Sequence, residues 1–514
     1  MINTTAQNAL KNSVYNFIGF ILPIIVMIFI TPIIISKWGV KDYGIYIFLS
    51  TITLFLGLLD LGVSVATSKH IIEYYSNHDE NKLKKLIYSM NSIYLIMSII
   101  FFLVCVAIGF IIQIFFIERV GLGNNNFPLI FFILGSTVFI GTIFSNFGNI
   151  LVTMQRYDLQ LKISMFLILL SNIGMLILVL LGYGLIPVLL FNLFVMLLSN
   201  IIYFISARKV FPIMQLKYAW KTEEILKNYK FGISVAFNNL ANSSLVHFDK
   251  LLIPIFLGNA QLTYYSVPGS IATKISNISS VFATVLFPIT VNLQSLNKLE
   301  KIKRVYIRSL RLITILAASI SFSIIFVSDK ILLYWLGENF SKQSTIVLIL
   351  LILTNFFLAL FSPISNLLMA MGKMKFLTMG SIIMMIINIV ALFLLLPKYG
   401  INGAAVAYLI ATVFVYYMLY YAEKNYFKIN HIKENIKLLI KILTVAVPHF
   451  FIVKFLIYPL ITNLITLIIF GPIIFGIFLI IYKIFGFVEK EDWDDFKTMV
   501  LKFLTKFKLK KITN

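Results

Sequence analysis

The 514-residue sequence contains little charge, and acidic residues are especially scarce. Charged residues make up 12% of the chain, with 20 aspartates and glutamates, whereas 60% of the residues are hydrophobic. A soluble domain of this size with this composition would expose a very large apolar surface. The scarcity of charge therefore excludes a soluble globular protein and indicates a polytopic membrane protein.

Cysteine and catalytic motifs are also scarce. The single cysteine, Cys105, lies in an apolar run, which excludes a disulfide framework and a thiolate metal site and favours a small core residue. The five histidines lie in different segments and do not support a metal cluster. The sequence has no phosphate-binding loop, His-Glu-x-x-His or Gly-x-Ser-x-Gly motif. These absences predict a protein that is not an enzyme and that has no cofactor or metal.

What the chain does contain is a series of long apolar runs. Runs of about 18 to 25 residues recur without the alternation of barrel strands, so they predict membrane-spanning helices. The first run is too long for the core of a signal peptide and is expected to be a retained helix. The fold class that we predict is an all-α polytopic membrane protein with about fourteen transmembrane helices. The predicted spans are Val14–Ser36, Tyr43–Ser64, Ser89–Phe116, Phe127–Leu151, Ile163–Gly182, Gly184–Ser206, Phe231–Leu257, Leu262–Val291, Ile307–Val327, Ser344–Met369, Phe376–Leu396, Ile401–Tyr421, Ile436–Ile457 and Ile461–Ile481.

Lysine and arginine concentrate in alternate loops. With the N-terminus inside, the inside segments hold 34 of the 43 basic residues and the outside segments hold 7, while Lys250 and Lys274 fall within predicted spans. This asymmetry predicts that both termini are cytoplasmic. It also explains the net charge of +23 without a nucleic-acid partner, because the basic residues do not form one domain.

The predicted seventh span, Phe231–Leu257, contains more polar residues than any other predicted span. Asn238, Asn242 and Asp249 share one helical face, and Asn239, Ser243, His247 and Lys250 lie on the adjoining face. Polar groups at membrane depth usually face a bundle interior or a water-filled cavity and suggest a pathway. On the eighth span, Lys274 shares a face with Asn277 and Thr284.

The two halves of the chain contain an internal repeat. Four pairs of segments match in order: Lys37–Tyr46 with Phe256–Tyr265 at an offset of 219, Asn149–Arg156 with Asn366–Lys373 at 217, and Asn172 with Asn388 and Tyr183-Gly184 with Tyr399-Gly400 at 216. Because the offset covers six spans, both copies have the same orientation in the membrane. We therefore predict two parallel six-helix lobes followed by two additional helices.

The motifs also resemble a known family. The Gly-x-x-x-Tyr-Gly-x-Tyr turn at Gly39–Tyr46, the Leu-Leu-Asp-Leu-Gly stretch at Leu58–Gly62 and the Asp249–Gly258 stretch are similar to those of polysaccharide flippases of the multidrug, oligosaccharidyl-lipid and polysaccharide exporter superfamily. The resemblance covers roughly residues 10 to 425, and Leu262-Thr263 departs from it, because a Gly-Tyr pair is more usual there.

The resemblance implies a function and an architecture. It implies two MATE-like lobes around a central cavity and alternating access. The substrate would be an undecaprenyl-diphosphate-linked oligosaccharide, moved from the inner to the outer leaflet of the bacterial cytoplasmic membrane for capsule or O-antigen export. The expected partners are this lipid-linked substrate, membrane lipids, a polysaccharide polymerase and a chain-length regulator. The alternatives are a cation-coupled multidrug exporter or a peptidoglycan-precursor flippase of the same superfamily, and, in another class, a membrane polymerase.

The expected domains follow from the repeat and the linkers. They are an N-terminal lobe (1–210), a cytoplasmic linker (211–230), a C-terminal lobe (231–425), two additional helices (426–485) and an amphipathic basic tail (486–514). In the tail, Trp493, Phe496, Val500, Phe503 and Phe507 form an apolar stripe at helical spacing, which predicts a helix lying on the inner leaflet.

Candidate site residues fall into two groups. The expected cavity residues are Lys250, Lys274, Asn242, Asn239, Asn277 and His247. The two lysines carry positive charges that can bind a diphosphate. The carboxylates Asp60 and Asp249 are expected to couple ion movement or to form a lobe-holding ion pair with Lys250. Three of these residues have a structural alternative. Lys274 could snorkel, Asp60 could cap a helix, and His247 could be a neutral, hydrogen-bonded imidazole.

Overall fold

The computed structural model describes residues 2–58, 63–115, 127–284, 286–296, 298–428 and 432–487. Within these ranges the chain forms helices and no strand, which confirms the predicted all-α fold class. The α-helices are α1 (Ile2–Leu58), α2 (Val63–Ser76), α3 (Glu80–Phe115), α4 (Phe127–Ile143), α5 (Ser145–Thr153), α6 (Tyr157–Leu180), α7 (Leu185–Val210), α8 (Thr222–His247), α9 (Asp249–Leu257), α10 (Asn259–Thr284), α11 (Leu286–Ser295), α12 (Leu299–Ile325), α13 (Ser328–Leu336), α14 (Glu338–Ala370), α15 (Met374–Ala422), α16 (Ile432–Ile452) and α17 (Leu464–Ile484).

Many of these helices are long and apolar enough to cross a membrane. Among the described residues there are 10 such helices, or up to 11 when α4 and α5, which meet at a 41° bend, are taken as one span. Two of them, Leu22–Gly57 and Met374–Phe427, each cover two of the predicted spans. The predicted eighth span falls on α10 and α11, which are outside that set. The protein is therefore a multi-pass membrane protein, and the number fourteen stays a prediction.

A glycine breaks the helical path in each of the two long helices that cover two predicted spans. Gly39 in α1 has φ 78° and ψ 169°, and Gly400 in α15 has φ 60° and ψ −144°, so the helical path breaks at each. A side chain is strained at such positive φ values, which glycine adopts freely. The sequence then resumes its apolar helical pattern, and a second span begins a few residues later.

Two of the predicted repeat matches have the same backbone conformation in both copies. Gly258 has φ 87° and ψ 165°, close to the values of its counterpart Gly39. The second match ends its helix at Gln155 in one copy and Gly372 in the other, both with positive φ. In each case three successive amides bond to carbonyls three, four and five residues back, at 2.7 to 3.1 Å. The match of Gly184 with Gly400 differs, because Gly184 has φ −85° where Gly400 has φ 60°.

The described residues cluster into two compact units. The first comprises Met1–Ser266 and Ser381–Ala404, and the second comprises Val267–Gly380 and Ala405–Asn514. This clustering groups residues by contacts, whereas the predicted boundaries at 210, 230 and 425 come from the repeat. The lobes defined by the repeat remain a prediction.

In the first unit the core lies between α1, α6 and α7. Ile30, Met175 and Val188 are buried together there, and Trp38 donates a hydrogen bond from Nε1 to the carbonyl of Tyr183 at 3.0 Å. These contacts explain why the turn motif carries large aromatic residues. The tryptophan fixes α1, next to its break at Gly39, against the α6–α7 turn.

The segment that joins α7 to α8 is bound to α3. The Asn91 side-chain amide donates to the carbonyls of Gln215 and Lys217 at 2.9 and 3.0 Å, and the Ser92 hydroxyl donates to the carbonyl of Ala219 at 3.0 Å. Asn91 is buried. The predicted linker is thus held along the first unit by side chains of α3.

In the second unit the last two helices pack on α12 and α13. Val327, Val453 and Ile474 are members of one buried apolar cluster at this contact. His449 is fully buried and lies 3.0 Å through Nε2 from the carbonyl of Ile474, which joins α16 to α17. Asn463 begins α17 with a capping box, which satisfies amides at the helix start.

Candidate functional site

The most polar span contains a buried carboxylate with two donors. The chain passes from α8 to α9 at Phe248, and Asp249 follows it with 2% exposure. The hydroxyl of Tyr265, on α10, donates to Oδ2 of Asp249, and the backbone amide of Lys250 donates to Oδ1 at 2.7 Å. Both carboxylate oxygens therefore have a donor, as a buried charged group requires.

The amino group of Lys250 lies beside His247. Its Nζ is 3.3 Å from His247 Nδ1, one helical turn away, and the lysine is partly buried. An amino group can donate to an imidazole nitrogen that lacks a proton. The structure thus brings together three of the predicted residues, Asp249, Lys250 and His247. Contact of Lys250 with substrate and an ion pair with Asp249 both stay predictions.

The asparagines earlier in α8 form a second polar group with residues of α15. The Asn242 amide donates to the carbonyl and to the side-chain oxygen of Asn238, both at 2.9 Å, and the Asn242 oxygen accepts from the Ser381 hydroxyl at 3.2 Å. Asn388 donates to the carbonyl of Leu245 at 3.2 Å. Asn239 and Asn242 are exposed, so their side chains remain accessible. The beginning of α15 therefore packs on α8 through polar contacts.

The eighth-span candidates belong to the other compact unit. Lys274 is half-buried and Asn277 is exposed, both on α10. Between them, the Ser276 hydroxyl donates to the side-chain oxygen of Asn355 on α14 at 2.8 Å. The buried Asn355 thus fixes this face of α10 while leaving Lys274 partly accessible. Asp60 lies outside the described residues.

A polar cluster joins the start of α8 to α2, outside the candidate spans. Lys227 Nζ lies 3.4 Å from Glu73 Oε1 and 3.1 Å from the Tyr74 hydroxyl. The hydrogen bond from His70 lowers the pKa of Glu73, and burial raises the pKa of Tyr74. Nearby, the buried Asn228 donates to the Thr67 hydroxyl at 2.9 Å. The α2–α8 contact is thus polar and charged.

Sequence reasoning missed two groups that the structure makes prominent. Tyr265 was part of the repeat motif, yet its role as a donor to Asp249 depends on how α9 and α10 turn at Gly258. Glu423 ends a long apolar helix and is buried against Tyr306. An acidic residue at the end of an apolar run was the available signal. No group of three or more histidine, cysteine, aspartate or glutamate side chains that would suit a metal ion occurs in the described ranges.

The fold defines the class of the protein. A solved structure of the lipid II flippase MurJ in an inward-closed conformation matches with a TM-score of 0.70 at 18% identity, covering 93% of this chain and 98% of that one. An inward-facing multidrug resistance MATE family transporter of the MOP superfamily matches with a TM-score of 0.61 at 14% identity, covering 81% and 94%. The chain therefore has the fold of this transporter superfamily.

The family follows from the sequence comparison. Residues 39–345 match the model of the family described as "Polysaccharide biosynthesis protein", and the chain belongs to this family. A curated Shigella flexneri protein named "Putative O-antigen transporter" is 22% identical over 412 residues, which are 79% of this chain and 96% of that protein. The resemblance that the sequence motifs indicated is thus confirmed.

Proposed function

We propose that the protein is a flippase for undecaprenyl-diphosphate-linked oligosaccharide repeat units. It moves them from the inner to the outer leaflet of the bacterial cytoplasmic membrane for export of a capsule or O-antigen type of polysaccharide. The observation that carries the proposal is a lysine, Lys250, within the most polar span of a chain of this family. The name of the Shigella relative supports a polysaccharide substrate.

The charges around Asp249 favour an anionic substrate. The Asp249 carboxylate is 2% exposed and accepts bonds from Tyr265 and from the Lys250 amide. An organic cation would have to displace one of these donors and enter a buried site. Lys250, by contrast, is only partly buried as a residue, and its amino group contacts the His247 imidazole, with no carboxylate to displace among the described residues. A diphosphate suits such an amino group, whereas a cationic drug requires an accessible carboxylate.

The mechanism that we propose is alternating access by two six-helix lobes, residues 1–210 and 231–425. Orientation follows from the distribution of basic residues, which supports cytoplasmic termini. A polysaccharide polymerase and a chain-length regulator are the proposed partners. Lys274, Asn239, Asn242 and Asn277 serve as further contacts for the head group, since all are at least partly accessible.

The test is transfer of a labelled lipid-linked oligosaccharide in reconstituted vesicles. We expect Lys250→Ala and Lys274→Ala each to lower the transfer rate about tenfold, which corresponds to loss of one charge-assisted hydrogen bond. Lys342→Ala is the matched control, because this exposed lysine pairs with Glu338 one turn away at 2.7 Å. Unchanged transfer by both cavity variants, with the wild type active, would reject the assigned contacts. If the wild type does not accelerate transfer of the lipid-linked oligosaccharide, the proposed flippase function is rejected.

A peptidoglycan-precursor flippase is the second candidate. The MurJ structure covers 93% of this chain, a larger share than the MATE structure covers. A comparison of transfer of the two lipid-linked substrates by the same vesicles separates the candidates. Resistance to organic cations upon expression, abolished by Asp249→Asn, would instead indicate a drug exporter.

A further inference from the structure

A second polar site lies in the second unit, and none of its lining residues is a predicted substrate residue. A cavity of about 280 Å³ is bounded by α12, α14, the end of α15 and the start of α16. Its walls are mostly aliphatic. The residues that line it on the aliphatic side are Leu310, Leu360, Leu419, Ile436, Leu438 and Leu439.

One carboxylate, Glu423, also lines this cavity. The residue is 1% exposed, and its Oε1 accepts hydrogen bonds from the Tyr306 hydroxyl at 2.6 Å and from the Asn435 amide at 2.9 Å. The other oxygen, Oε2, is buried and has no hydrogen-bond partner within the described part of the chain. Two donors thus hold the carboxylate in place, and the other oxygen is left without a donor from the described residues.

A second group on the cavity wall is also unsatisfied. The hydroxyl of Tyr416 is buried and lacks a hydrogen-bond partner among the described residues. Buried polar atoms are nearly always paired, so two unpaired ones on the same small cavity indicate a missing partner. That partner must carry more than one donor if it is to satisfy both.

The cation that would normally accompany a buried carboxylate is not supplied by the described part of the chain. The ion pairs found there do not include Glu423. Lys424, its neighbour in sequence, is exposed, and its Nζ lies 3.4 Å from the Tyr420 hydroxyl. A buried charge is retained only when it is paired and hydrogen-bonded. An incoming positive charge would complete this site.

The position of the cavity specifies the source of that charge. Glu423 lies near the end of the candidate span Met374–Phe427, and Asn435 lies near the start of the candidate span Lys433–Leu460. Groups at the ends of spans lie at the depth of the lipid head groups. Ile436, on the cavity wall, is 51% exposed, so the cavity is next to the outer surface of α16.

We propose that this cavity binds an aminophospholipid of the ethanolamine type, with its primary ammonium on Glu423 Oε2 and Tyr416 and the two methylene groups that join the ammonium to the phosphodiester against the leucine wall. An ammonium has three donors and a positive charge, and so it satisfies both unpaired oxygens. A choline head group lacks N–H donors, and a glycerol head group lacks the charge. The bound lipid would join α15 and α16 at the same carboxylate that Tyr306 and Asn435 hold.

Native mass spectrometry of the purified full chain in detergent tests this proposal. Phosphatidylethanolamine, phosphatidylcholine and phosphatidylglycerol are offered at equal concentration, and retained lipid is counted. We expect the wild type to retain phosphatidylethanolamine about tenfold more than either other lipid, the ratio that one hydrogen bond to a charged group provides. Equal retention of the three lipids, or preference for phosphatidylglycerol, would overturn the assignment.

Two variants locate the effect. Glu423→Gln removes the charge, and we expect it to abolish the preference, while Glu300→Gln, at an exposed carboxylate on α12 that pairs with Lys303, keeps it. Since Glu423→Gln also alters the acceptor of Tyr306, Leu439→Trp provides an independent test by filling the cavity and leaving the carboxylate intact. Retained preference in either folded variant would contradict the proposal.

Discussion

Replacing Gly44 by alanine tests the close approach of two helices in the first unit. A Cβ atom at this position would lie 1.9 Å from the backbone carbonyl oxygen of Asn259, and 2.9 Å from the side-chain oxygen of Thr263. Both neighbours are at the start of α10, and Gly44 is in the middle of α1. A backbone oxygen cannot rotate away from a methyl group, so the helices would have to move apart.

The geometry gives the size of the effect. A carbon and a carbonyl oxygen approach to about 3.3 Å at the closest, so the segments must separate by about 1.4 Å. That shift also lengthens the bond from the Thr263 hydroxyl to the Val40 carbonyl, now 2.7 Å, beyond hydrogen-bonding distance. Overpacking costs about 1–3 kcal/mol, and the lost bond adds about 1 kcal/mol. We expect Gly44→Ala to lower the free energy of unfolding by about 2–4 kcal/mol.

The protein contains its own probe for this measurement. Cys105 is the single cysteine and is fully buried, so a thiol-reactive fluorogenic dye reports unfolding of the purified protein in detergent. Gly57→Ala is the matched control, since this glycine lies in the same helix and nothing surrounds the added Cβ within 4 Å. If Gly44→Ala melts at or above the wild-type temperature while the control is also unharmed, the close approach of α1 and α10 is wrong.

Three further predictions follow from the turns and the loops. Gly258→Ala should destabilise the protein by about 1–2 kcal/mol, because φ is 87° there, whereas Gly471→Ala, at a helical glycine with open space, should not; both are measured by the same dye assay. The amide at the start of α3 that donates to Asp79 lowers the pKa of this carboxyl, so its stabilising effect is present above pH about 4 and is lost as the pH falls further. If acid lowers the melting temperature of Asp79→Asn as much as that of the wild type, this role is contradicted. In a cysteine-free background, a membrane-impermeant maleimide on intact cells should label a cysteine that replaces Lys342 and leave one that replaces Lys298 unlabelled, and the reverse pattern would invert the topology.

The sequence predicted the fold class because hydropathy and length constrain a membrane chain strongly. It also predicted the positions at which the chain turns, since Gly39 and Gly258 were matched by the repeat and have similar positive φ values. A glycine in a conformation that other residues avoid leaves a signal in one sequence. The number of spans was harder to test, because the candidate eighth span is polar and is divided between α10 and α11.

The candidate site was predicted only in its residue types. Lys250, His247 and Asp249 were selected because they are polar within an apolar run, and the structure brings them together. The donors to Asp249 and Glu423 could not be found in the same way. Tyr265 and Tyr306 are ordinary aromatic residues in sequence, and each reaches its carboxylate through tertiary packing. Periodicity determines which face a residue lies on, but not which neighbour that face meets.

The hydrogen bonds that hold the predicted linker, residues 211–230, on α3 affect how the chain folds during synthesis. The side-chain oxygen of Asn91 accepts from Asn146, and its amide is satisfied by carbonyls of Gln215 and Lys217, which are synthesised more than a hundred residues later. A nascent chain that has reached residue 210 therefore holds six predicted spans but still lacks both carbonyl acceptors of the Asn91 amide. The hydrogen bonds of α3 are complete only when the linker has left the ribosome. A fragment that ends at residue 230 should therefore be more stable than one that ends at residue 210.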